Sequence, residues 1–304
     1  MSDNNKLMKS PPYNKKTILI IGITGFLGRN LTKYLIDNYK KYNIIGTGLS
    51  SNKIKTFENI LNGWGINNHQ IPVHMIDIVM DPVKLETIFK NNKVDYVIHC
   101  AALKYICISE KQPEKAIEIN INGTLNILKL AKKYNITNLI GLSTDKANKP
   151  INTYGMTKYL MEELIKEYKY SIYQGVNFFW SDGSVLDIWL RQIRRKDKLC
   201  VTNFEQERYY SNIFDICEDI ITNLDNKNQI ITSSKIFKIR LLDLFKGFIK
   251  YFNYDEKNCN IVGYRKNEKK LEDLLNNTEV FENLKEEEII EIIKFNFEHC
   301  SLSF

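Results

Sequence analysis

Residues 143–158 read Ser-Thr-Asp-Lys-Ala-Asn-Lys-Pro-Ile-Asn-Thr-Tyr-Gly-Met-Thr-Lys and hold two sets of proton-transfer groups. Tyr154 and Lys158 stand four residues apart, so on a helix they share one face. An ammonium near a phenol favours the phenolate, and the pair predicts a tyrosine that moves a hydroxyl proton near neutral pH. Asp145 and Lys146, just upstream, add a carboxyl and an amine that oxidising an alcohol or reducing a ketone does not require. A second proton-transfer step is therefore expected beside hydride transfer. Alone, the Asp-Lys pair could be an exposed charge pair after a strand; its proximity to Tyr154 and Lys158 favours chemistry.

The elements that must position these groups are legible upstream. Thr17 to Ile21 is a β-branched run leading into Gly22-Ile-Thr24-Gly25-Phe26-Leu27-Gly28, followed by an amphipathic stretch from Asn30 to Tyr39. Strand, glycine turn and helix in that order let backbone approach a pyrophosphate, whose charge meets the helix N-terminus. A dinucleotide site at Gly22, Thr24, Gly25, Phe26, Leu27 and Gly28 is expected. The second strand, Asn43 to Leu49, leads to Ser50-Ser51-Asn52-Lys53, where an NAD site would place an acidic residue. Hydroxyls and lysine suit a 2′-phosphate, so NADP is expected over NAD, although a solvated loop reads the same way. Further strands are expected at Val73–Ile78, Val94–Cys100 and Leu139–Ser143, with helices over Pro113–Ile119 and from Asn120 to Tyr134. The last of these strands delivers the 143–158 motif at its C-terminal end, the edge where open α/β sheets bind ligands. The alternation predicts an α/β, Rossmann-type doubly wound parallel sheet.

Composition narrows the partners. The chain has 304 residues, 43% of them hydrophobic, and a net charge of +7. Its lysines are spread among asparagines and isoleucines, so the charge favours an anionic small ligand over nucleic acid. Six cysteines without C-x-x-C spacing and four histidines without a metal-ligand pattern predict free thiols and no metal. The polar start and the lack of an apolar run of roughly 20 residues lead to the expectation of a cytoplasmic protein with no membrane contact.

Three segments, taken together, carry a resemblance: Ala101-Ala102-Leu103-Lys104-Tyr-Ile-Cys-Ile-Ser-Glu110, then Glu118-Ile-Asn120-Ile-Asn-Gly-Thr-Leu-Asn126, then Ser143-Thr-Asp-Lys-Ala with Pro150-Ile-Asn-Thr-Tyr-Gly. From about Thr17 to Leu275 the chain resembles the UDP-N-acetylglucosamine 4,6-dehydratase family of the extended short-chain dehydrogenase/reductases. Tyr154 resembles the soluble members that invert carbon 5, because membrane-anchored retaining members tend to carry Met there. There are departures. Ile21 stands for the usual Thr, Gln174-Gly175-Val176-Asn177 for R-Y-G-N, and Asp182 for the Arg of S-R-G-S-V.

The resemblance implies a cofactor site that also includes Ser50, Ser51, Lys53, Asp77, Ile78, Ala101, Ala102, Lys104, Asn120 and Ser143, with Tyr154 and Lys158. It implies substrate contacts at Lys104, Thr144, Asn177, Arg208, Arg265 and Glu268, the arginines toward a diphosphate; for both, a surface salt bridge is the alternative. In the implied reaction Tyr154 takes the carbon 4 hydroxyl proton, Lys146 removes the proton on carbon 5, Asp145 protonates the leaving carbon 6 hydroxyl, and Thr144 bonds the substrate near carbon 4. Residues 1–16 are expected to be a tail, 17–175 the NADP-binding domain with part of 212–240 returning to it, and 176–211 with 241–304 a smaller C-terminal lobe for a UDP-sugar. A homo-oligomer, dimer or higher, is expected from the family. A UDP-sugar 4-epimerase or 4-reductase, and a non-catalytic NADP- or sugar-nucleotide-binding protein, stay open, as does N-acetylglucosamine against glucose.

Overall fold

The computed structural model describes residues 15–263, 267–275 and 279–301. Numbered along the chain, the main sheet holds Lys16–Ile21 (β1), Tyr42–Gly48 (β2), Val73–Met75 (β3), Tyr96–His99 (β4), Asn138–Thr144 (β5), Ser171–Gly175 (β6) and Ile230–Thr232 (β10). Their order is β10-β6-β5-β4-β1-β2-β3, and every pairing is parallel. The direction of winding reverses between β1 and β4, and this opens a crevice at the strands' C-terminal ends.

Burial explains why β1 is central. Ile18, Leu19, Ile20 and Ile21 have no exposed surface, as a strand covered on both faces requires. Leu19 and Ile21 face a core built with Pro82–Asn91 (α3), Thr124–Lys133 (α6) and Thr153–Glu167 (α7). Ile18 and Ile20 face the opposite core, with Phe26–Asn38 (α1) and Ile213–Thr222 (α9). That second core runs on without a break into Trp180, Trp189, Phe245, Phe248 and Ile293 of the C-terminal lobe.

The lobe has a four-stranded sheet of Asn177–Phe178 (β7), Glu207–Ser211 (β9), Ile236–Arg240 (β11) and Val280–Phe281 (β13), and a pair formed by Leu199–Val201 (β8) and Cys259–Ile261 (β12). Val185–Arg195 (α8), Leu241–Tyr251 (α10) and Glu286–His299 (α11) pack with them. Between 212 and 240, α9 and β10 return to the main sheet while β11 joins the lobe. The remaining helices are Ser51–Gly63 (α2), Ile106–Lys111 (α4) and Pro113–Ile117 (α5).

Three element boundaries differ from the sequence reading by more than two residues. Helix α1 starts at Phe26, inside the glycine motif, with Gly25 as its N-cap. Strand β3 stops at Met75 because the Asp77 carboxylate accepts the Val79 N–H at 2.8 Å and the Met80 N–H at 3.2 Å, which turns the chain. No new helix begins at Asn120: α5 passes through a wide π turn, Glu118–Gly123, directly into α6.

Candidate active site at the C-terminal edge of the sheet

Strand β5 ends at Thr144, and a single 3-10 turn, Asp145–Ala147, follows. The Thr144 hydroxyl donates to Asp145 Oδ1 at 2.9 Å, and Lys146 Nζ lies 3.0 Å from the same oxygen. Asp145 is 1% exposed, and its other oxygen, Oδ2, is buried with no partner; the Ser143 hydroxyl is in the same condition. Buried polar atoms without partners are rare in folded proteins, and these two belong to residues two apart at the C-terminal end of β5, the ligand-binding edge. Helix α7 is pinned against the turn. Asn152 caps it by accepting the Gly155 N–H at 2.8 Å, and Glu110 accepts the Thr153 N–H at 2.6 Å. A Cβ on Gly155 would lie 2.3 Å from the Lys146 carbonyl oxygen, so glycine here lets the helix bring Tyr154 up to Asp145.

Tyr154 and Lys158 are both buried on α7. The expectation that Lys158 acidifies Tyr154 is corrected. Burial first, and the Asp145 charge second, push the phenol above its usual value, with Thr144 acting the other way. The Lys158 ammonium points instead to the Leu142 carbonyl and, at 2.8 Å, to Met161 Sδ. Burial brings Lys158 down to about 8, opposed by the charge of Glu162, which accepts from Gln174 at 3.0 Å.

The turn after β1 fits a dinucleotide. Gly22 has φ +87°, and a Cβ there would lie 2.9 Å from the Ala101 backbone nitrogen; one on Gly28 would lie 2.5 Å from the Gly22 carbonyl oxygen. No side chain caps α1, so its first N–H groups remain available to a phosphate. Thr24, Phe26 and Leu27 are buried around this turn. Ser50 stands at the N-cap position of α2 without a side-chain capping bond, and the helix's first turn carries exposed Ser51 and Lys53. Ala102 and Lys104 follow β4, with Lys104 exposed over the Tyr105 ring, and Ile78 packs on Gly123. Two members of the expected set are committed elsewhere. Asn120 spends its amide on both backbone groups of Leu103 and on Thr157, so it fastens the loop after β4 to α7. Asp77 holds the turn after β3.

The expected substrate residues fall into two groups. Asn177 accepts from Lys146 Nζ at 3.3 Å and donates to the Tyr209 carbonyl, which joins the acid–base turn to the lobe. Arg208 donates to the carbonyls of Glu207 and Lys270 and lies 3.7 Å from Glu268. Arg265 lies outside the described residues. Two features had no sequence signal. Glu272, 6% exposed, comes within 3.8 Å of Lys146. Arg29, buried in α1, donates to Asp182 at 2.9 Å and to the Thr24 carbonyl at 2.9 Å, so Asp182 has a reason to replace arginine.

The chain is similar to known proteins along most of its length. The chain is 30% identical over 268 residues to the UDP-N-acetylglucosamine 4,6-dehydratase (inverting) of Campylobacter jejuni, covering 84% of this chain and 76% of that protein. It is 29% identical to a UDP-glucose 4-epimerase of Rickettsia bellii, covering 87% and 79%. Among solved structures, a dTDP-glucose 4,6-dehydratase from Streptomyces venezuelae, with NAD and TYD bound, superposes with a TM-score of 0.78 at 14% identity, covering 93% and 97%. The glycine turn, the Tyr-Lys helix and the parallel sheet are thus set in an extended short-chain dehydrogenase/reductase fold, and with residues 18–294 matching its model the chain belongs to the polysaccharide biosynthesis protein family.

Proposed function

We propose that the protein is an NADP-dependent UDP-N-acetylglucosamine 4,6-dehydratase that also inverts carbon 5, giving a UDP-4-keto-6-deoxy-L-sugar. The observation that carries this reading is the pair of buried, partnerless oxygens, Asp145 Oδ2 and Ser143 Oγ, beside Lys146 and Tyr154. A substrate hydroxyl would satisfy both. Tyr154 exchanges the carbon 4 hydroxyl proton, with Thr144 against it. Lys146 Nζ, 3.0 Å from the Asp145 carboxylate, would first pass a proton to it; the amine so formed removes the carbon 5 proton made acidic by the ketone, and the Asp145 carboxyl delivers its proton to the departing carbon 6 hydroxyl, which restores the ion pair. A dinucleotide held on Gly22 to Gly28 would supply the hydride acceptor and donor and, when oxidised, a positive ring that offsets the burial of Tyr154. Ser50, Ser51 and Lys53 favour the 2′-phosphate of NADP. Arg208 and Glu268 would receive the diphosphate and ribose of UDP, in the lobe of 176–211 and 241–304. We also assign a homo-oligomer. Ile108, Ile117, Met156, Tyr159 and Leu160 are each at least 38% exposed on the neighbouring helices α4, α5 and α7, an apolar face suited to a second copy.

The test is incubation with UDP-N-acetylglucosamine in deuterated water, with and without added NADP, followed by NMR of the sugar. Expected are loss of water, deuterium at carbon 5 and the L-configuration. Neither water loss nor deuterium at carbon 5 rejects the proposal. A UDP-sugar 4-epimerase, a reading supported by the Rickettsia relative, would return only the carbon 4 epimer; a 4-reductase would consume NADPH stoichiometrically. Ligand binding without turnover would favour a non-catalytic protein.

A further inference from the structure

Glu272 belongs to a segment, 267–273, that crosses from the lobe onto the entrance of α7. Asn267 donates to Glu110 at 2.8 Å, Lys269 to the Asn148 carbonyl at 2.7 Å, and the Asp273 carbonyl accepts from Asn148 at 2.8 Å. So fastened, the segment inserts the Glu272 carboxylate, its side chain 4% exposed, against the acid–base turn. Oε1 lies 3.8 Å from Lys146 Nζ, and Oε2 lies 3.8 Å from Lys269 Nζ. Lys146 thereby meets Asp145 at 3.0 Å, the Asn177 oxygen of β7 at 3.3 Å and Glu272 at 3.8 Å.

Building on the dehydratase reading, we propose that Glu272 is a positioning residue through which the lobe sets the charge of Lys146, holding it as an ammonium until the base is needed. A carboxylate within 4 Å favours the charged form of an amine, and in a buried setting the attraction is screened less than at a surface. Lys269 is held more closely by Asp273, at 2.7 Å, and by the Asn148 carbonyl than by Glu272, at 3.8 Å. The other charges facing the site are Asp145 from the turn and Arg208 from β9, itself 3.7 Å from Glu268; Tyr154 and Tyr209 are the nearest phenols. Burial, helped by Asp145, raises Glu272 above the usual carboxyl range, whereas Lys146, Arg208 and Lys269 lower it. A ligand anion engaging Arg208 would remove one of the charges that keep Glu272 ionised. Glu272 would then take up a proton more readily, and the hold on Lys146 would weaken as substrate docks.

The test reads Lys146 directly. Trace acetic anhydride acylates only free amines, and mass spectrometry of the labelled peptide against pH gives the titration of Lys146 in the full chain without substrate. In Glu272→Gln the curve is expected to move to lower pH, with labelling at pH 7 rising at least threefold while an exposed lysine such as Lys84 is unchanged. Glu272→Asp, which keeps the charge and retracts it by one carbon, should shift the curve less, and it serves if the glutamine variant fails to fold. Identical Lys146 curves in the wild type and the folded variants would overturn the proposal. In turnover, the acid limb of carbon 5 deuterium exchange should move to lower pH in Glu272→Gln, with KM changed less than kcat. A wild type inert toward UDP-N-acetylglucosamine defeats the dehydratase reading alone, because the labelling experiment needs no turnover.

Discussion

Tyr154 shows how much of its chemistry is set by what surrounds it: the same burial that excludes water from the phenol makes the phenolate harder to form. A proton-transfer group of this kind contributes about 10²- to 10⁴-fold to rate. Tyr154→Phe, which keeps the ring, is therefore expected to lower kcat by at least about 100-fold with a small change in melting temperature, measured by NMR-monitored turnover and thermal unfolding. His99, behind the site at the end of β4, is a purely structural counterpart. Burial first, then the charge of Lys158, brings its imidazole down from 6.5 to about 3. The unfolded chain binds that proton below pH 6.5 and the folded one does not, so the contribution of His99 is complete above pH 6.5 and is lost as pH falls toward 3. The slope is about 1.4 kcal/mol per pH unit in that window. Urea unfolding at pH 6.5, 5.5 and 4.5 should show a shallower fall in His99→Gln, whose amide can still meet Thr124; parallel curves would remove His99 as the cause.

At the scale of elements, the tie between α1 and the turn before α8 explains the departure from the family pattern at Asp182. Arg29 is buried, and Asp182 is the carboxylate that meets it with two contacts, at 2.9 and 3.3 Å. Removing one partner of such a pair leaves a charge with fewer contacts. Because Asp182 is 28% exposed and Arg29 keeps the Thr24 and Ser301 carbonyls, Asp182→Ala should cost about 2 kcal/mol, below the range for a fully buried pair. Asp182→Arg, which restores the residue usual in the family, should cost more, and the Arg29→Asp/Asp182→Arg exchange should recover part of the loss in a double-mutant cycle of unfolding free energies. The pair also shows where sequence reading ends. The β1 run, the glycine turn and the Tyr-x-x-x-Lys helix are local patterns whose period or spacing fixes their geometry, and they stand in the structure as read. Arg29 and Asp182 are 153 positions apart, and Glu272 meets Lys146 only after the 267–273 segment has folded back. No local pattern encodes such meetings. At Asn120 the motif is local, but its partners are not: from the π turn its amide meets Leu103 and Thr157.

For the molecule as a whole, the two cores differ in what they leave uncovered. The core around Ile18 and Ile20 continues into the lobe and is sealed by α10 and α11, whereas the core around Leu19 and Ile21 ends at α7. On α7, Met156, Tyr159 and Leu160 are 45–50% exposed, and on the neighbouring α4 and α5 Ile108 and Ile117 are 38% and 45% exposed. The helix buries its other face through Met161 and Ile165 and carries Tyr154 and Lys158 between the two faces. A second copy packed on this surface would brace the helix that holds the site, which gives assembly a catalytic consequence. Light scattering should report at least twice the 35.7 kDa protomer mass. Leu160→Glu, placing a charge in the middle of the apolar face, should yield monomer, because burying an unpaired carboxylate costs several kcal/mol. If α7 depends on the second copy, this monomer should also turn over more slowly and melt at lower temperature. A protein that is monomeric before the substitution would show that this face serves something other than self-association.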